Sequence, residues 1–350
     1  MVKNNDNLKE AFKNIEKQFG KWSIMKMWDN SNVWLVNTVH SGSYVLDLIL
    51  GWWYPEGRIV EIYWPESSGK TTIALHAIAE IQKKGEVAAF IDAEHALDPH
   101  YAKKLGVNTD ELLLSQPDHG EQALQIAEEL AKSGAVKMIV IDSVAALVPR
   151  AEVEWDMGDS YMWLQARMMS QWLRKLASVL AKTDTMCVFI NQIRMKIWVM
   201  FGNPETTSGG NALKFFASQR VEIRRWDKVM EDKEQIGYLA RIKIVKNKIF
   251  APFKTAEIPV KRWFGYDHIY DIIEAWLILQ LVNRAWAFYS IWDKKAQWKE
   301  KLIKMLIEDK KLLDKLEKDI QNQIKDIRTG KKAIDDVALD EVNEIIENLE

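Results

Sequence analysis

Residues 58–72, "RIVEIYWPESSGKTT", hold the densest chemistry in the chain. A loop of the form G-x-x-x-x-G-K-[ST], after a strand and opening a helix, cradles phosphates with its backbone N–H groups. "WPESSGKT", residues 64–71, follows an apolar strand pattern and runs into a helical one at Lys70. Gly69 lets the backbone turn its N–H groups toward a β-phosphate, Lys70 reaches the β- and γ-phosphates, and the Thr71 hydroxyl suits Mg²⁺. Pro65, Glu66, Ser67, Ser68 and Thr72 complete the loop, and the helix N-terminus adds a positive dipole end. The first loop position is the exception: it holds Trp64 where the pattern asks for glycine.

Three further polar residues end apolar strand patterns. Asp142 closes "MIVID", an arrangement that positions Mg²⁺ when it stands beside a phosphate loop. Glu94 follows "FID"; by spacing alone it is either an ordinary loop acid or a carboxylate that polarises an attacking water. Gln192 closes "FINQ", where an amide could sense a γ-phosphate. The segment that follows, 193–211, "IRMKIWVMFGNPETTSGGN", is long and mixes basic, apolar and aromatic side chains. Loops of that length in compact domains are usually functional or disordered. Its composition suits single-stranded nucleic acid, through phosphate contact and base stacking. Cys187 is the one cysteine and sits in an apolar run, so it reads as core and permits no internal disulfide.

The elements that must hold these residues alternate. "GRIVEIY", "EVAAFID", "VKMIVID" and "TMCVFINQ" are continuously apolar strands of the kind that lie parallel with both faces covered. Helical patterns separate them, at 70–84 and 160–182 among others. "QRVEIRR", "YLARIKIVKNK" and "KTAEIPV" then follow without long helices, which predicts an antiparallel extension of the sheet. Beyond about residue 268 the pattern is mostly helical and charged, and 331–350 holds 2 Lys against 7 Asp or Glu, an acidic tail. At the other end, Leu8, Phe12, Ile15 and Phe19 share one helical face, which must dock on the chain's own core or on a neighbouring subunit. A chain of 350 residues has room for two or three domains. Its net charge of −2 means that any nucleic-acid binding comes from local patches. With no signal peptide, lipidation motif or apolar run near 18 residues, the expectation is a cytosolic protein that does not enter membranes.

Taken together, "IEKQFGK", "GRIVEIY", "PESSGKTT", "FIDAEHALDP", "SQPD", "GEQAL", "IDSVAALVP", "ARMMSQ", "INQIRMKI", "VMFGNPETT", "GGNALKF" and "IVKNKI" closely resemble the bacterial RecA recombinases, in order, from residue 10 to about 290. The match weakens from 268 and is nearly absent after 300. The "KNK" and "GNPETT" segments set it apart from hexameric helicases and RadA-like repair proteins. The resemblance implies an α/β fold: a RecA-type P-loop ATPase core whose mostly parallel sheet is extended by antiparallel strands. An N-terminal helix and a small helical C-terminal domain flank it. The implied divisions are 1–34 for polymerisation, 35–267 for the core, 268–330 for the C-terminal domain and 331–350 for the tail.

The resemblance also implies roles. Glu94 would be the general base, with Lys70 and Gln192 beside it in catalysis, and Gln192 would couple the γ-phosphate to a DNA loop. Asp98 and Tyr101 would contact the adenine side. Lys246 and Lys248 would reach the ATP of the neighbouring subunit, and Phe215 would lie at that interface. Two DNA loops are implied, at 155–163 and 193–210. Met162, Arg167, Ser170, Arg174, Arg194, Met195, Lys196, Ile197, Phe201, Gly209, Gly210 and Asn211 would contact DNA. The expected activity is a DNA-dependent ATPase that uses ATP and Mg²⁺, with Thr71 and Asp142 holding the metal. It would form helical filaments of itself on single-stranded DNA and exchange strands with duplex DNA, and it would prompt self-cleavage of an SOS repressor.

Tryptophan and glycine each occur 16 times, although glycine at about 7% would number about 24. Trp64 stands at a loop glycine; Trp22, Trp52, Trp53, Trp198, Trp263 and Trp298 fall where the resembling family has glycine, and Trp155 and Trp163 bracket the first DNA loop. Stacking on bases is the alternative for Trp155, Trp163 and Trp198, but it does not explain Trp52, Trp64 or Trp263. Trp28, Trp34, Trp172, Trp226, Trp276, Trp286 and Trp292 align less surely. Glycine serves such loops through positive φ and close approach to phosphate, and an indole is among the worst replacements. The expectation is a decoding difference, since UGA is read as tryptophan in some bacterial codes and as glycine in a few others. With tryptophan retained, the alternative is a DNA-binding filament protein with impaired ATP hydrolysis.

Overall fold

The computed structural model describes residues 5–20, 23–24, 36–51, 53–65, 68–153, 162–195, 204–231, 234–279, 281, 283–285, 288–291, 294–297 and 299–328. The chain forms two compact units, 1–37 and 38–350. The first holds helix α1 (Asn5–Phe19), on which Leu8 and Phe19 are exposed. Among the described residues no helix is long and apolar enough to cross a membrane.

The second unit opens with β1 (Thr38–Val39), α2 (Tyr44–Leu50) and β2 (Tyr54–Pro55), β1 and β2 pairing antiparallel. The alternating core follows: β3 (Ile59–Tyr63), α3 (Lys70–Lys83), β4 (Val87–Asp92), α4 (Pro99–Lys104), β5 (Leu113–Ser115), α5 (Gly120–Lys132) and β6 (Val136–Asp142). Next come the short α6 (Arg150–Val153), the long α7 (Met162–Thr183) and β7 (Met186–Asn191). A small antiparallel hairpin, β8 (Ile193–Met195) with β9 (Glu205–Thr207), and α8 (Ala212–Phe216) lead to β10 (Gln219–Glu231), β11 (Glu234–Asn247), β12 (Thr255–Lys261) and β13 (Gly265–Tyr266).

Nine of these strands make one sheet, in the order β13-β12-β11-β10-β3-β7-β6-β4-β5. The strands from β10 to β5 run parallel, and β10 to β13 are antiparallel. The central strands are apolar on both faces because both faces are covered. One core packs Val60, Ile62, Val140 and Val188 against α2, α3 and α9 (His268–Ile278). The other packs Ile59, Ile139, Ile141 and Phe189 against α5, α7 and α8. Cys187 lies fully buried in this second core, and burial pushes its thiol pKa up, which fits a packing role.

The antiparallel extension is longer than the sequence pattern predicts. β10 continues to Glu231 and β11 begins at Glu234. Polar residues hide the period there, while Arg241 lays its guanidinium 3.6 Å from the Trp226 ring across the pair. The C-terminal region, expected to be mostly helical, also contains strands. Between α9 and the helices α10 (Lys299–Glu308) and α11 (Lys310–Arg328) lie β14 (Asn283–Ala285), β15 (Phe288–Ile291) and β16 (Lys294–Gln297), an antiparallel sheet. Strands of three and four residues are too short to show a period of two, and backbone pairing sustains them instead.

Asp271 ties α9 to the core. It is buried and accepts hydrogen bonds from the Ser43 hydroxyl at 2.5 Å and from the N–H groups of Tyr44 at 2.6 Å and Val45 at 3.2 Å, the first turn of α2. Asp271→Ala strands these donors in a dry site, so thermal unfolding should show a loss of about 2–4 kcal/mol.

Candidate functional site

The phosphate loop joins the C-terminal end of β3 to α3, whose first residue is Lys70. Gly69 takes φ +92, in the left-handed region, and a Cβ there would lie 2.4 Å from the Tyr238 hydroxyl. Glycine is therefore favoured at this position for its conformation, and any Cβ would also have to push the Tyr238 hydroxyl aside. Ser68, Gly69, Lys70, Thr71, Thr72 and Tyr238 line a cavity of about 260 Å³. The Lys70 ammonium donates to the carbonyls of Trp64 at 3.0 Å and Pro65 at 2.6 Å, and the Ser68 hydroxyl donates to the Pro65 carbonyl at 3.0 Å. Glu66 and Ser67 lie outside the described residues.

Thr71 Oγ1 donates to Asp142 Oδ2 at 2.7 Å, which brings together the two residues expected at a metal. Burial pushes the Asp142 carboxyl pKa up to about 6; the Thr71 hydrogen bond and the nearby Lys70 charge oppose the rise, and Glu94 and Asp92 add to it. A hydroxyl and a carboxylate are hard oxygen donors, and a protein contribution this small suits Mg²⁺ shared with substrate phosphates. At the loop's other end, the Thr72 and Tyr101 hydroxyls lie 2.7 Å apart. Asp98 caps α4 by accepting from the N–H groups of His100 and Tyr101, which fixes Tyr101 beside the loop.

Glu94 and Gln192 also meet. Gln192 Nε2 donates to Glu94 Oε1 at 2.8 Å, and the Ser143 hydroxyl donates to the same oxygen. The Glu94 N–H reaches the Asp142 carbonyl, so the tips of β4, β6 and β7 are locked side by side. Three neighbouring parallel strands therefore present Glu94, Asp142 and Gln192 at one sheet edge, next to the phosphate loop.

The residues expected to touch DNA gather elsewhere on the same unit. Arg167, Ser170 and Arg174 recur at helical spacing along α7, with both arginines exposed. Arg194 and Met195 are exposed on β8. Gly209 and Gly210 have φ +80 and +73, and a Cβ on either would come within 2.8 Å of Val144 or Ala166. Asn211, exposed, precedes α8 as its N-cap. Lys196, Ile197, Phe201 and residues 154–161 lie outside the described residues, as does the side chain of Met162.

Lys246 and Lys248 are not brought to the loop of their own chain. The Lys246 ammonium donates to the carbonyls of Lys214 at 2.6 Å and Phe215 at 3.1 Å, and Lys248 donates to Phe215 at 3.3 Å, at the negative end of α8. Burial, then the Lys248 and Arg220 charges, push the Lys246 pKa down. Lys246 is eight residues along β11 from Tyr238, on the order of 26 Å in an extended strand. Phe215 is exposed beside them.

Sequence reasoning missed Ser143, Tyr238, Asn191 and Glu61. The last was legible: an acid inside the apolar strand "RIVEIY" must be buried, and a buried charge must be paired. Of the tryptophans, Trp53 and Trp263 adopt φ +80 and +66, where glycine is favoured. Trp64 lays its ring 3.8 Å from the Arg224 guanidinium, and it does not line the phosphate cavity. Trp276 is different, buried in α9 within the first core.

Comparison with known proteins agrees with this geometry. The family model of the RecA N-terminal domain matches residues 6–265. The RecA protein of Bacillus licheniformis is 55% identical over 313 residues, 89% of this chain and 90% of the relative. That of Bacillus pumilus is 54% identical over 328 residues, 93% and 94% of the two chains. That of Listeria innocua is 51% identical over 331 residues, 94% and 95%. With a phosphate loop, its acid partners and a matching family model over most of its length, the chain belongs to the RecA family of recombinases, the DNA-dependent ATPases of recombinational DNA repair.

Proposed function

We propose that this chain hydrolyses ATP with Glu94 as general base and Lys70 on the transferring phosphate, and that Gln192 reports the state of that site to the hairpin 193–207. The observation that supports the reading is the 2.8 Å contact between Gln192 and Glu94 beside the Thr71–Asp142 pair. Lys70 supplies positive charge where negative charge develops, and the amides of 68–72 hold the phosphates. The Thr71 hydroxyl and the Asp142 carboxylate would hold Mg²⁺, which when bound neutralises phosphate charge. Glu94 takes the proton of the attacking water. Once the γ-phosphate is gone, the Gln192 amide loses one of the groups it can bond, and the hairpin beside it shifts.

Lys246 and Lys248 act on a neighbouring subunit's ATP, which makes the site complete only in a filament. Their position at α8, away from Lys70, and the exposed Phe215 support this reading. Single-stranded DNA runs past α7 and the hairpin. It is held by phosphate contacts to Arg167, Arg174 and Arg194, and by backbone approach at Gly209 and Gly210. Pairing with duplex DNA is tested by base pairing and not by side chains. The divisions 1–34, 35–267, 268–330 and 331–350, a cytoplasmic setting and stimulation of an SOS repressor's self-cleavage complete the proposal.

Glu94→Gln is the direct test. It is isosteric, keeps a partner for Gln192 and Ser143, and removes the base. ATP and DNA binding should stay near parental while turnover falls about 10²–10⁴-fold. Turnover at the parental rate would show that Glu94 is not the base.

A further inference from the structure

Behind the site a line of polar side chains crosses three strands. Glu61 lies in the middle of β3 with no exposed surface. Arg220, opposite it on β10, donates from Nε to Glu61 Oε2 at 2.5 Å. Asn191, at the end of β7, donates from Nδ2 to Glu61 Oε1 at 2.9 Å. The same amide donates to the Ser208 carbonyl at 3.1 Å, and its Oδ1 accepts the Gln192 N–H at 2.8 Å. Ser208 N–H closes the ring on the Gln192 carbonyl at 3.2 Å. Gln192 and Ser208 are the two residues that flank the β8–β9 hairpin, so a single buried amide grips both of its roots. The Asn191 backbone carbonyl also accepts the Trp64 N–H, at the entrance to the phosphate loop.

A residue whose only task was to satisfy Glu61 would need one donor. Asn191 uses its donor and acceptor on four groups: the buried acid, both hairpin roots and, through its main chain, the phosphate loop. We propose that Asn191 is a positioning residue for the DNA-stimulated reaction. It anchors the hairpin roots to the Glu61–Arg220 pair, so that nucleic acid bound along the hairpin changes the placement of Gln192 against Glu94. Buried polar networks of this kind have few alternative arrangements, which suits a link that must transmit position. The inference rests on the roles given to Glu94 and to the hairpin in the proposed function.

The test compares ATP turnover with and without poly(dT) for the parent chain, Asn191→Ala and Glu61→Gln. In Glu61→Gln the shape is kept, but the new amide cannot accept from both Arg220 and Asn191. The ratio of stimulated to unstimulated turnover should fall about tenfold in each variant, one buried hydrogen bond's worth of coupling. A purely structural role would lower both rates together, reduce the melting temperature and leave the ratio at the parental value; that result overturns the proposal. If Asn191→Ala fails to accumulate as folded protein, the isosteric Glu61→Gln decides by the same ratio. Glu94→Gln is run alongside. If it turns over normally, the reading of the site fails. If it is dead while Asn191→Ala and Glu61→Gln keep the parental ratio, only the role of Asn191 fails.

Discussion

Lys70→Ala should leave a folded protein with no measurable ATP hydrolysis, with or without single-stranded DNA. The side chain is nearly buried, and its ammonium is held by the Trp64 and Pro65 carbonyls. Those carbonyls are partly buried, and losing the ammonium should cost about 1–2 kcal/mol, which leaves the fold intact. The cost in catalysis is large, because a positive charge is removed from the place where a transferring phosphate concentrates negative charge. A loss of about 10³-fold or more is expected for such an electrostatic contribution. Lys70→Arg should not rescue the site, since a planar, delocalised guanidinium does not present the compact point charge of an ammonium. Steady-state phosphate release, beside a thermal melt, checks both halves of the expectation. Turnover within tenfold of the parent would remove Lys70 from the mechanism and the loop from the active site.

Protein purified from its own host should carry glycine at positions 53, 64 and 263, read by tandem mass spectrometry. The structure adds independent support at two of these. Trp53 and Trp263 sit at φ +80 and +66, where a residue with a Cβ costs roughly 1–2 kcal/mol and glycine costs nothing. At position 64 the argument is the loop itself, whose pattern requires glycine for close approach to phosphate. Trp276 sets the limit of the idea. It is 2% exposed in the first core, and a glycine in α9 would empty that volume unless the surrounding core repacks. If decoding explains the whole set, the native protein shows almost no tryptophan fluorescence. A native peptide containing Trp64 ends the idea and leaves a filament protein whose ATP site is impaired.

By itself the sequence determined the active-site strands. Four apolar runs, each closed by a loop or a polar residue, predict parallel strands whose polar tips share one edge, because parallel strands point the same way. Glu94, Asp142 and Gln192 were therefore legible as strand-end residues on one edge, with Lys70 and Thr71 of "SGKT" at the same edge, but their order there was not: β7 and β6 stand between β3 and β4. Distance in three dimensions was not legible. Nothing in "IVKNKI" says that Lys246 and Lys248 bond the end of α8 and stay away from their own Lys70. That outcome depends on the register of β11 against β10, which tertiary pairing sets. The C-terminal strands stayed hidden because three- and four-residue segments carry no measurable period. Asn191 reads as one more polar residue at a strand end. Only the packed sheet, which places the tip of β7 within 2.9 Å of an acid 130 residues earlier, makes it a junction. A side chain's hydrogen-bond partners follow from which strands are adjacent, and adjacency is decided by the fold as a whole.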